Sequence, residues 1–295
     1  MKKSLITTTA AVATVMSASA AYADLSLGGA MTIKYQSGDS TTGFQGTATS
    51  YTVNVDYTTT LDNGMGYAVN VDIAGPATHL KQLHTFSTDM GSVFLGTDFT
   101  SAVDSKDYVQ GAGPFANNPA STTGYNGLLF SGFNDGDAAT DNGIGVSTSV
   151  AGADVMVTYG DDMADNGNPL SIAASMNIAG ATIKAGNTDF DSSSFNDHGF
   201  MSIGYSVGGF SLGYNYYDSD STSITQIGAS TTVAGLGVGV SSGTKDNGAS
   251  ADHDAMGIHI SGDLGGAFWQ IDYMNTDFGN GTESDDYVFY LGTGF

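Results

Sequence analysis

The side chains best suited to chemistry in this sequence are a few lysines and histidines set among many aspartates. The chain has seven lysines and no arginine against 30 acidic residues, for a formal net charge of −23. Its five histidines lie in no G-x-S-x-G nucleophile motif and no H-E-x-x-H metal motif. The residues therefore favour electrostatic chemistry, in which fixed charges sort ions and dipolar solutes, over catalysis, and we expect no enzyme activity.

The negative charge limits the partners of the protein. Nucleic acid is excluded, because its phosphates would be repelled, whereas cations and cationic solutes are favoured. The chain has no cysteine and so no disulfides. It also has no EF-hand loop and no nonapeptide calcium repeat, so we expect no cofactor beyond weak binding of Ca²⁺ or Mg²⁺ at acidic loops.

The first 23 residues have the features of a secretory signal peptide. Lys2 and Lys3 precede an apolar, alanine-rich run that ends in Ala21-Tyr22-Ala23. This order of charged, apolar and small residues predicts cleavage after Ala23, which leaves residues 24–295 as the mature chain. A membrane-anchor helix is disfavoured because the run is short and rich in Thr and Ser.

The elements that would position the charges are β-hairpins. In the stretch from Gly199 to Asp220, every second residue is apolar on both sides of the Gly208-Gly209 pair, and the residues between are small or polar. Alternation of this kind around glycine predicts two antiparallel strands and a tight turn. The same pattern recurs at Asp62-Asn63-Gly64, Ala151-Gly152, Ala179-Gly180, Ala234-Gly235 and Gly265-Gly266.

Tight turns and longer polar loops alternate along the whole mature chain. Seven tight turns and eight longer connections predict 16 antiparallel strands, and residues 99–142 form the longest connection. Tight turns at one rim and long loops at the other are typical of an outer-membrane barrel. In a soluble sandwich the apolar faces would make a dry core. We predict instead an all-β, 16-stranded antiparallel transmembrane β-barrel with apolar residues toward lipid and small polar residues toward a water-filled lumen.

Several segments together resemble a known family. They are the start "DLSLGGAMTIKY", the hairpin series, the single long early loop and the ending "YVFYLGTGF". The whole mature chain resembles the general diffusion porins of Gram-negative outer membranes, in their alphaproteobacterial form. The resemblance implies a homotrimer in the cell outer membrane, in contact with lipid and lipopolysaccharide. It also implies that loop 3, residues 99–142, folds into the lumen.

The end of the chain is similar to the signal by which the barrel assembly machinery recognises porins. Apolar residues alternate up to a terminal aromatic residue, at Tyr287, Phe289, Leu291 and Phe295. The resemblance implies that these residues direct insertion into the outer membrane.

Charged residues on the lumen face are the candidate pore residues. Alternation places Lys34, Asp56, Asp72, Lys184 and Asp272 on that face. Loop 3 adds Asp104, Lys106 and Asp107. The resemblance implies a basic cluster on the first and fourth strands, which corresponds to Lys34 and Lys81. The facing of Lys81 and His84 stays open, because "LKQLHTF" does not alternate cleanly.

Acidic residues in the other long loops predict a negatively charged mouth that attracts cations. The mouth residues are Asp161, Asp162, Asp165, Asp189, Asp191, Asp218, Asp220, Asp285 and Asp286. We therefore expect passive diffusion of small hydrophilic solutes and ions, with a preference for cations.

Two other functions remain open. A substrate-specific outer-membrane channel would need an aromatic track along the lumen, for which Phe268 and Tyr217 are the inward candidates. A secreted or surface β-protein, such as an acidic adhesin or a Ca²⁺-binding solenoid, would need a strict sequence period.

Overall fold

The described residues of the protein fold as β-strands joined by turns. The computed structural model describes residues 24–38, 42–43, 50–75, 79–97, 102, 142–161, 168–191, 197–219, 222–248 and 250–294. None of these residues belongs to a helix long and apolar enough to cross a membrane. The predicted signal peptide lies outside the described residues.

The strands of the described residues belong to one antiparallel sheet of 17 strands, one of which has only two residues. In chain order they are β1 (Asp24–Gly38), β2 (Thr42–Gly43), β3 (Ser50–Thr60), β4 (Gly66–Gly75), β5 (His79–Thr88), β6 (Gly91–Thr97), β7 (Asn142–Val150), β8 (Ala153–Asp161), β9 (Pro169–Ile178), β10 (Ala181–Phe190), β11 (His198–Val207), β12 (Phe210–Ser219), β13 (Thr222–Val233), β14 (Leu236–Asp246), β15 (His253–Asp263), β16 (Ala267–Asp277) and β17 (Glu283–Gly294).

The first and last strands join the two ends of the sheet. From β3 onward each strand pairs with the next, β1 pairs with β3, and Ala30 to Gly38 of β1 pairs with Asp286 to Gly294 of β17. Both edges are therefore paired, so the sheet presents no open row of backbone groups there. The short β2 pairs with Gln36 and Ser37 of β1, in a region where the sequence predicts only a loop.

The tight turns lie where the alternation predicts them. Three of them are Ala-Gly pairs in which both residues have positive φ, for example 49° at Ala179 and 84° at Gly180. Two-residue turns with positive φ match the twist of the flanking strands, which is why glycine is needed at the second position. Alanine at the first position is a strained choice, because its Cβ crowds the backbone in this region.

The two faces of the sheet differ in composition and in exposure. The apolar face carries large hydrophobic residues that are exposed, such as Ile172 at 51 % and Leu212 at 46 %. The polar face carries small and polar residues that are buried, such as Ser202 at 0 % and Asn215 at 1 %. A soluble sheet protein shows the opposite arrangement. The polar face is therefore the inner face of the joined sheet, and the apolar face is the outer one.

A hydrophobic cluster also lies on the inner face, near the ends of the strands where the longer loops begin. Its buried residues are Ala102, Ala173, Phe200, Tyr217, Ile224, Ala255, Met274, Val288 and Tyr290. Ala102 belongs to the connection after β6, and its backbone N–H donates to Oγ1 of Thr158 on β8 at 2.8 Å. The start of the longest connection is thus attached to the inner wall.

Aromatic residues on the outer face gather near the tight turns. The Tyr67 ring lies 4.9 Å from that of Phe86 and 6.5 Å from that of Tyr57. The indole of Trp269 lies over Gly262, where an added Cβ would come within 2.6 Å of Nε1. Glycine at that position leaves the space that the indole occupies.

Candidate functional site

The inner face is the candidate site, because it is where the sheet concentrates its hydrogen-bonding and charged side chains. On β11, β12 and β13 these side chains form a ladder around the wall. Oγ of Ser202 donates to Oδ1 of Asn215 at 2.7 Å, and Nδ2 of Asn215 donates to Oε1 of Gln226 at 3.1 Å. Each pair lies directly opposite in the strand register. The ladder gives this part of the wall a polar, uncharged lining.

A second hydrogen-bonded group lies on β15 and β16. Nδ1 of His259 is 2.9 Å from Oδ1 of Asp272, and Nε2 of His259 is 3.1 Å from Oγ of Ser261. Nε2 of Gln270 donates to the other carboxylate oxygen of Asp272 at 2.7 Å. Asp272 is almost fully buried, so these contacts replace the water that its carboxylate would otherwise bind.

The order Asp272, His259, Ser261 is that of a hydrolase triad, but its surroundings do not support catalysis. Such a triad needs N–H donors aimed at the oxyanion of the reacting group. Ser261 lies inside a strand whose backbone is paired on both sides, opposite Gly237 on β14 and Gln270 on β16. The backbone N–H groups there are committed to the sheet, so we assign the group to the polar lining of the wall.

The described inner face carries more negative than positive side chains. Its carboxylates are Asp56, Asp154, Asp263, Asp272 and Asp286, and its lysines are Lys184 and Lys245. Among the described residues, no three His, Cys, Asp or Glu side chains are grouped so that they could hold a metal ion.

The structure places the predicted wall residues as follows. Asp56 accepts a hydrogen bond from Nδ2 of Asn70 on the inner face. Lys184 is half-buried on the same face, opposite Ser175 and Ser202. In the strand register Lys34 lies opposite Tyr290, and Lys81 lies opposite Asp72.

The remaining predicted residues fall into three groups. Asp104, Lys106 and Asp107 of loop 3 lie outside the described residues, as do Asp162, Asp165, Asp220 and Phe295. Asp161 is the last residue of β8. The predicted mouth residues that are exposed at the long-loop rim are Asp189, Asp191, Asp218 and Asp285.

Asp286 differs from its predicted place in the acidic mouth. It is 1 % exposed on the inner face, where Oγ of Ser284 donates to its carboxylate at 3.2 Å. The neighbouring Asp285 points to the outer face and accepts hydrogen bonds from Tyr273 and Asn275. Successive residues of a strand face opposite sides, so the two aspartates cannot both belong to the exposed rim.

The chain end has the predicted alternation. Tyr287 and Phe289 are exposed on the outer face, and Leu291 lies on the same face. His84, whose facing the sequence left open, also lies on the outer face, since it pairs with Val69 and Leu95.

Three inner-face residues escaped the sequence analysis: Lys245, Gln226 and Gln270. Lys245 and Gln226 lie on β14 and β13, and all three are buried. The alternation of Leu236, Val238 and Val240 on the outer face already implies that Lys245 points inward, so that signal was present. Nothing in the sequence alone shows that Gln226 contacts Asn215, because the contact depends on the strand register.

Comparison with known proteins identifies the family to which this sheet protein belongs. A family model described as Gram-negative porin matches residues 7–295. The chain belongs to this porin family. No curated relative matches the chain by sequence. The protein is therefore an outer-membrane pore protein with a β-barrel fold, and the inner face lines its pore.

Solved structures share the fold at low sequence identity. A loop L8 deletion mutant of OmpT, an outer membrane protein of Vibrio cholerae, matches with a TM-score of 0.72 and 14 % identity, over 93 % of this chain and 100 % of that one. A mutant of Rh. blastica porin matches with a TM-score of 0.67 and 18 % identity, over 92 % and 100 %. In vitro folded OmpT in its trimer form matches with a TM-score of 0.69 and 13 % identity, over 93 % and 100 %.

Proposed function

We propose that this porin is a general diffusion channel, through which small hydrophilic solutes and ions cross the outer membrane passively, with a preference for cations. The observation that carries the proposal is the inside-out sheet, with exposed apolar residues on the outer face and buried polar residues on the inner face. The described part of the chain has 16 strands of seven residues or more, and a transmembrane barrel of that size would leave an aqueous channel.

The preference for cations rests on the charges of the lining. The described inner face carries five carboxylates and two lysines, and four of the predicted mouth aspartates are exposed at the long-loop rim. A cleft lined by one sign of charge concentrates ions of the opposite sign, and the effect weakens with salt. Both the wall and the mouth therefore favour cations.

Loop 3 narrows the pore in this proposal. Ala102, at the start of the connection, is completely buried and belongs to the inner-face hydrophobic cluster. Its hydrogen bond to Thr158 directs the chain inward at that point. Asp104, Lys106 and Asp107 would then lie across the lumen from Lys34 and Lys81, and opposed charges there would orient water and dipolar solutes.

The assembly of the protein completes the proposal. Residues 1–23 are a signal peptide cleaved on export, the terminal alternation directs insertion by the barrel assembly machinery, and the mature chain forms a homotrimer in lipid and lipopolysaccharide. The trimer form of the related OmpT structure supports the last point. No cofactor takes part, and Ca²⁺ or Mg²⁺ binds only weakly at the acidic loops.

A substrate-specific channel is less well supported. The inner face does carry more aromatic residues than the sequence analysis assigned, including Phe200 and Tyr290. However, Phe200 and Tyr217 are each only 5 % exposed, and their rings stack on each other at 6.1 Å. Rings that are packed in a cluster cannot form a track along which a solute slides.

Swelling of liposomes that contain the refolded protein separates these two functions. For a general diffusion channel we expect the rate of swelling to fall smoothly with the size of neutral sugars and amino acids. Stereoisomers of one size should enter at equal rates. Strong discrimination between stereoisomers would contradict the proposal and favour a substrate-specific channel.

A further inference from the structure

An apolar groove of about 460 Å³ crosses the outer face of β12, β13, β14 and β15. Two small side chains lie in it, between larger apolar ones that are exposed. In the strand register Ala229 lies between Leu212 and Val240. In the next row of the same face Ser242 lies between Ile227 and Met256. The small side chains leave room between the large ones, so this part of the outer face is concave.

The groove runs from the tight-turn side of the sheet toward the long-loop side. At one end, Leu212 is two residues from Phe210, where β12 begins after a tight turn. At the other end, Met256 is three residues from His253, where β15 begins after a longer connection. With about 4.8 Å between strands, the groove is roughly 14 Å long. Strands of membrane barrels tilt by about 45°, so a groove that crosses them extends into the depth of the lipid layer, as an acyl chain does.

Two carboxylates lie just beyond the long-loop end of the groove. Asp254 is two residues from Met256 on the same face, and it lies directly opposite Asp277 on β16. Both aspartates are exposed, and Oγ1 of Thr244 donates to Oδ1 of Asp254 at 2.6 Å. Like charges directly opposite each other destabilise a sheet, so a cation between them is favourable. Lys245, the only lysine of β12 to β16, is buried on the inner face and does not supply that cation.

A lipid whose headgroup carries an amine matches both parts of this surface. Its acyl chain suits the apolar groove, and its ammonium group suits the two carboxylates. A lipid with only a phosphate in its headgroup would be repelled by them. A metal ion alone would leave the groove unused, and within the described residues no three His, Cys, Asp or Glu side chains are grouped to hold one.

We infer that the groove and the aspartate pair bind one membrane lipid with an amine headgroup, of which phosphatidylethanolamine is the simplest. One acyl chain lies over Ala229 and Ser242, and the ammonium group lies between Asp254 and Asp277. This lipid site is independent of the proposed conduction and requires only that the outer face contact lipid. Acyl chains gain little by exchanging other lipid for this surface, so the headgroup sets the preference. Exposed ion pairs of this kind correspond to a preference of about 2- to 5-fold.

Native mass spectrometry of the refolded full chain in a non-ionic detergent tests the headgroup contact. The protein is given equal amounts of phosphatidylethanolamine and phosphatidylglycerol with the same acyl chains. A chelator keeps divalent cations from bridging the carboxylates to phosphate. We expect phosphatidylethanolamine to be retained about 2- to 5-fold more than phosphatidylglycerol. Equal retention of the two lipids by the unmodified protein would overturn the inference.

Asp254→Asn should remove most of this preference. Asp189→Asn is the matched control, because Asp189 is an exposed aspartate of the outer face at the same rim, on β10. The control variant should keep the preference, since a general effect of the negative charge of the protein would respond equally to either change. An unchanged preference in Asp254→Asn, or an equal loss in both variants, would contradict the assignment of the headgroup.

Ala229→Phe tests the acyl part of the site, because the larger side chain fills the groove. We expect this variant to retain less of both lipids. Ala185→Phe is the control, since Ala185 is an alanine of the outer face on β10, away from the groove. Undiminished retention in Ala229→Phe would exclude the groove. The conductance of each variant is recorded separately, because loss of conductance with unaltered lipid retention would count against the proposed function alone.

Photo-labelling of the unmodified protein keeps the site testable if a variant does not fold. Phosphatidylethanolamine with a diazirine in one acyl chain should label peptides of β12 to β15 more heavily than those of β7 to β10, whose outer faces are also apolar. Phosphatidylglycerol with the same acyl label should show less of this bias. Even labelling of the two groups of strands by phosphatidylethanolamine would overturn the location of the site.

Discussion

In the proposed channel, each inner-face aspartate acts as a single fixed charge in a water-filled passage. Asp56 is half-buried and bonded to Asn70, so its carboxylate is held in place on the wall. At about 7 Å in water, one unit charge changes the energy of a passing ion by roughly 0.6 kcal/mol, and salt reduces the effect further. A single substitution should therefore shift selectivity measurably without abolishing it.

Asp56→Asn is the substitution that tests this effect. We expect the permeability ratio of cation to anion to fall about 2- to 5-fold, because the lost charge attracts cations and repels anions. Reversal potentials at low salt measure the ratio. Asp62→Asn on the turn of the same hairpin is the control and should give a smaller change. An equal or larger effect at position 62 would place the selective charges at the rim.

Alternation predicts the facing of some single residues and fails for others. Alternation alone is enough to place Asp56, Lys184 and Asp272 on one face, and it equally implies the inward position of Lys245. The acidic loop before β17 predicts that Asp285 and Asp286 both lie in the mouth, although alternation separates the two. The contacts of His84 could not be predicted, because "LKQLHTF" has no clear period and the contacts depend on which residue of β4 lies opposite.

The β-hairpin is the element that the sequence specifies most directly. Glycine at the second turn position and apolar residues at every other strand position predict both the turn and the facing of the strands. These local signals explain why the turns at residues 151–152, 179–180 and 234–235 lie where the sequence predicts them. The short β2 escaped prediction because two residues are too few to show a period.

The alanine in these turns provides a test of hairpin energetics. Ala179 has a φ of 49°, which costs a residue with a Cβ about 1 kcal/mol or more. Asparagine tolerates this region, and Asn-Gly is a preferred pair for such turns. We expect Ala179→Asn to raise the free energy of unfolding by about 0.5–1 kcal/mol, measured by urea unfolding of the protein refolded in detergent.

The opposite change serves as the control for this turn. Ala179→Val places a β-branched residue at positive φ, so it should lower the free energy of unfolding. Equal stability of the asparagine and valine variants would show that residue 179 does not have the positive φ that the turn requires.

The whole molecule reverses the arrangement of a soluble protein, and this reversal gives it a pore. The sheet joins its first and last strands, exposes its apolar face and encloses its polar face. Lipid outside and water inside are the surroundings that such an arrangement requires. Charge then acts together with shape, because the described inner face carries five carboxylates and only two lysines.

Conductance in a planar bilayer under a salt gradient tests this account most directly. We expect the refolded protein to insert in discrete conductance steps, with a reversal potential of the sign that a cation-selective pore gives. The selectivity should weaken as the salt concentration rises, because salt screens the luminal carboxylates. Discrete steps with anion selectivity, or a correctly inserted protein that does not conduct, would contradict the account.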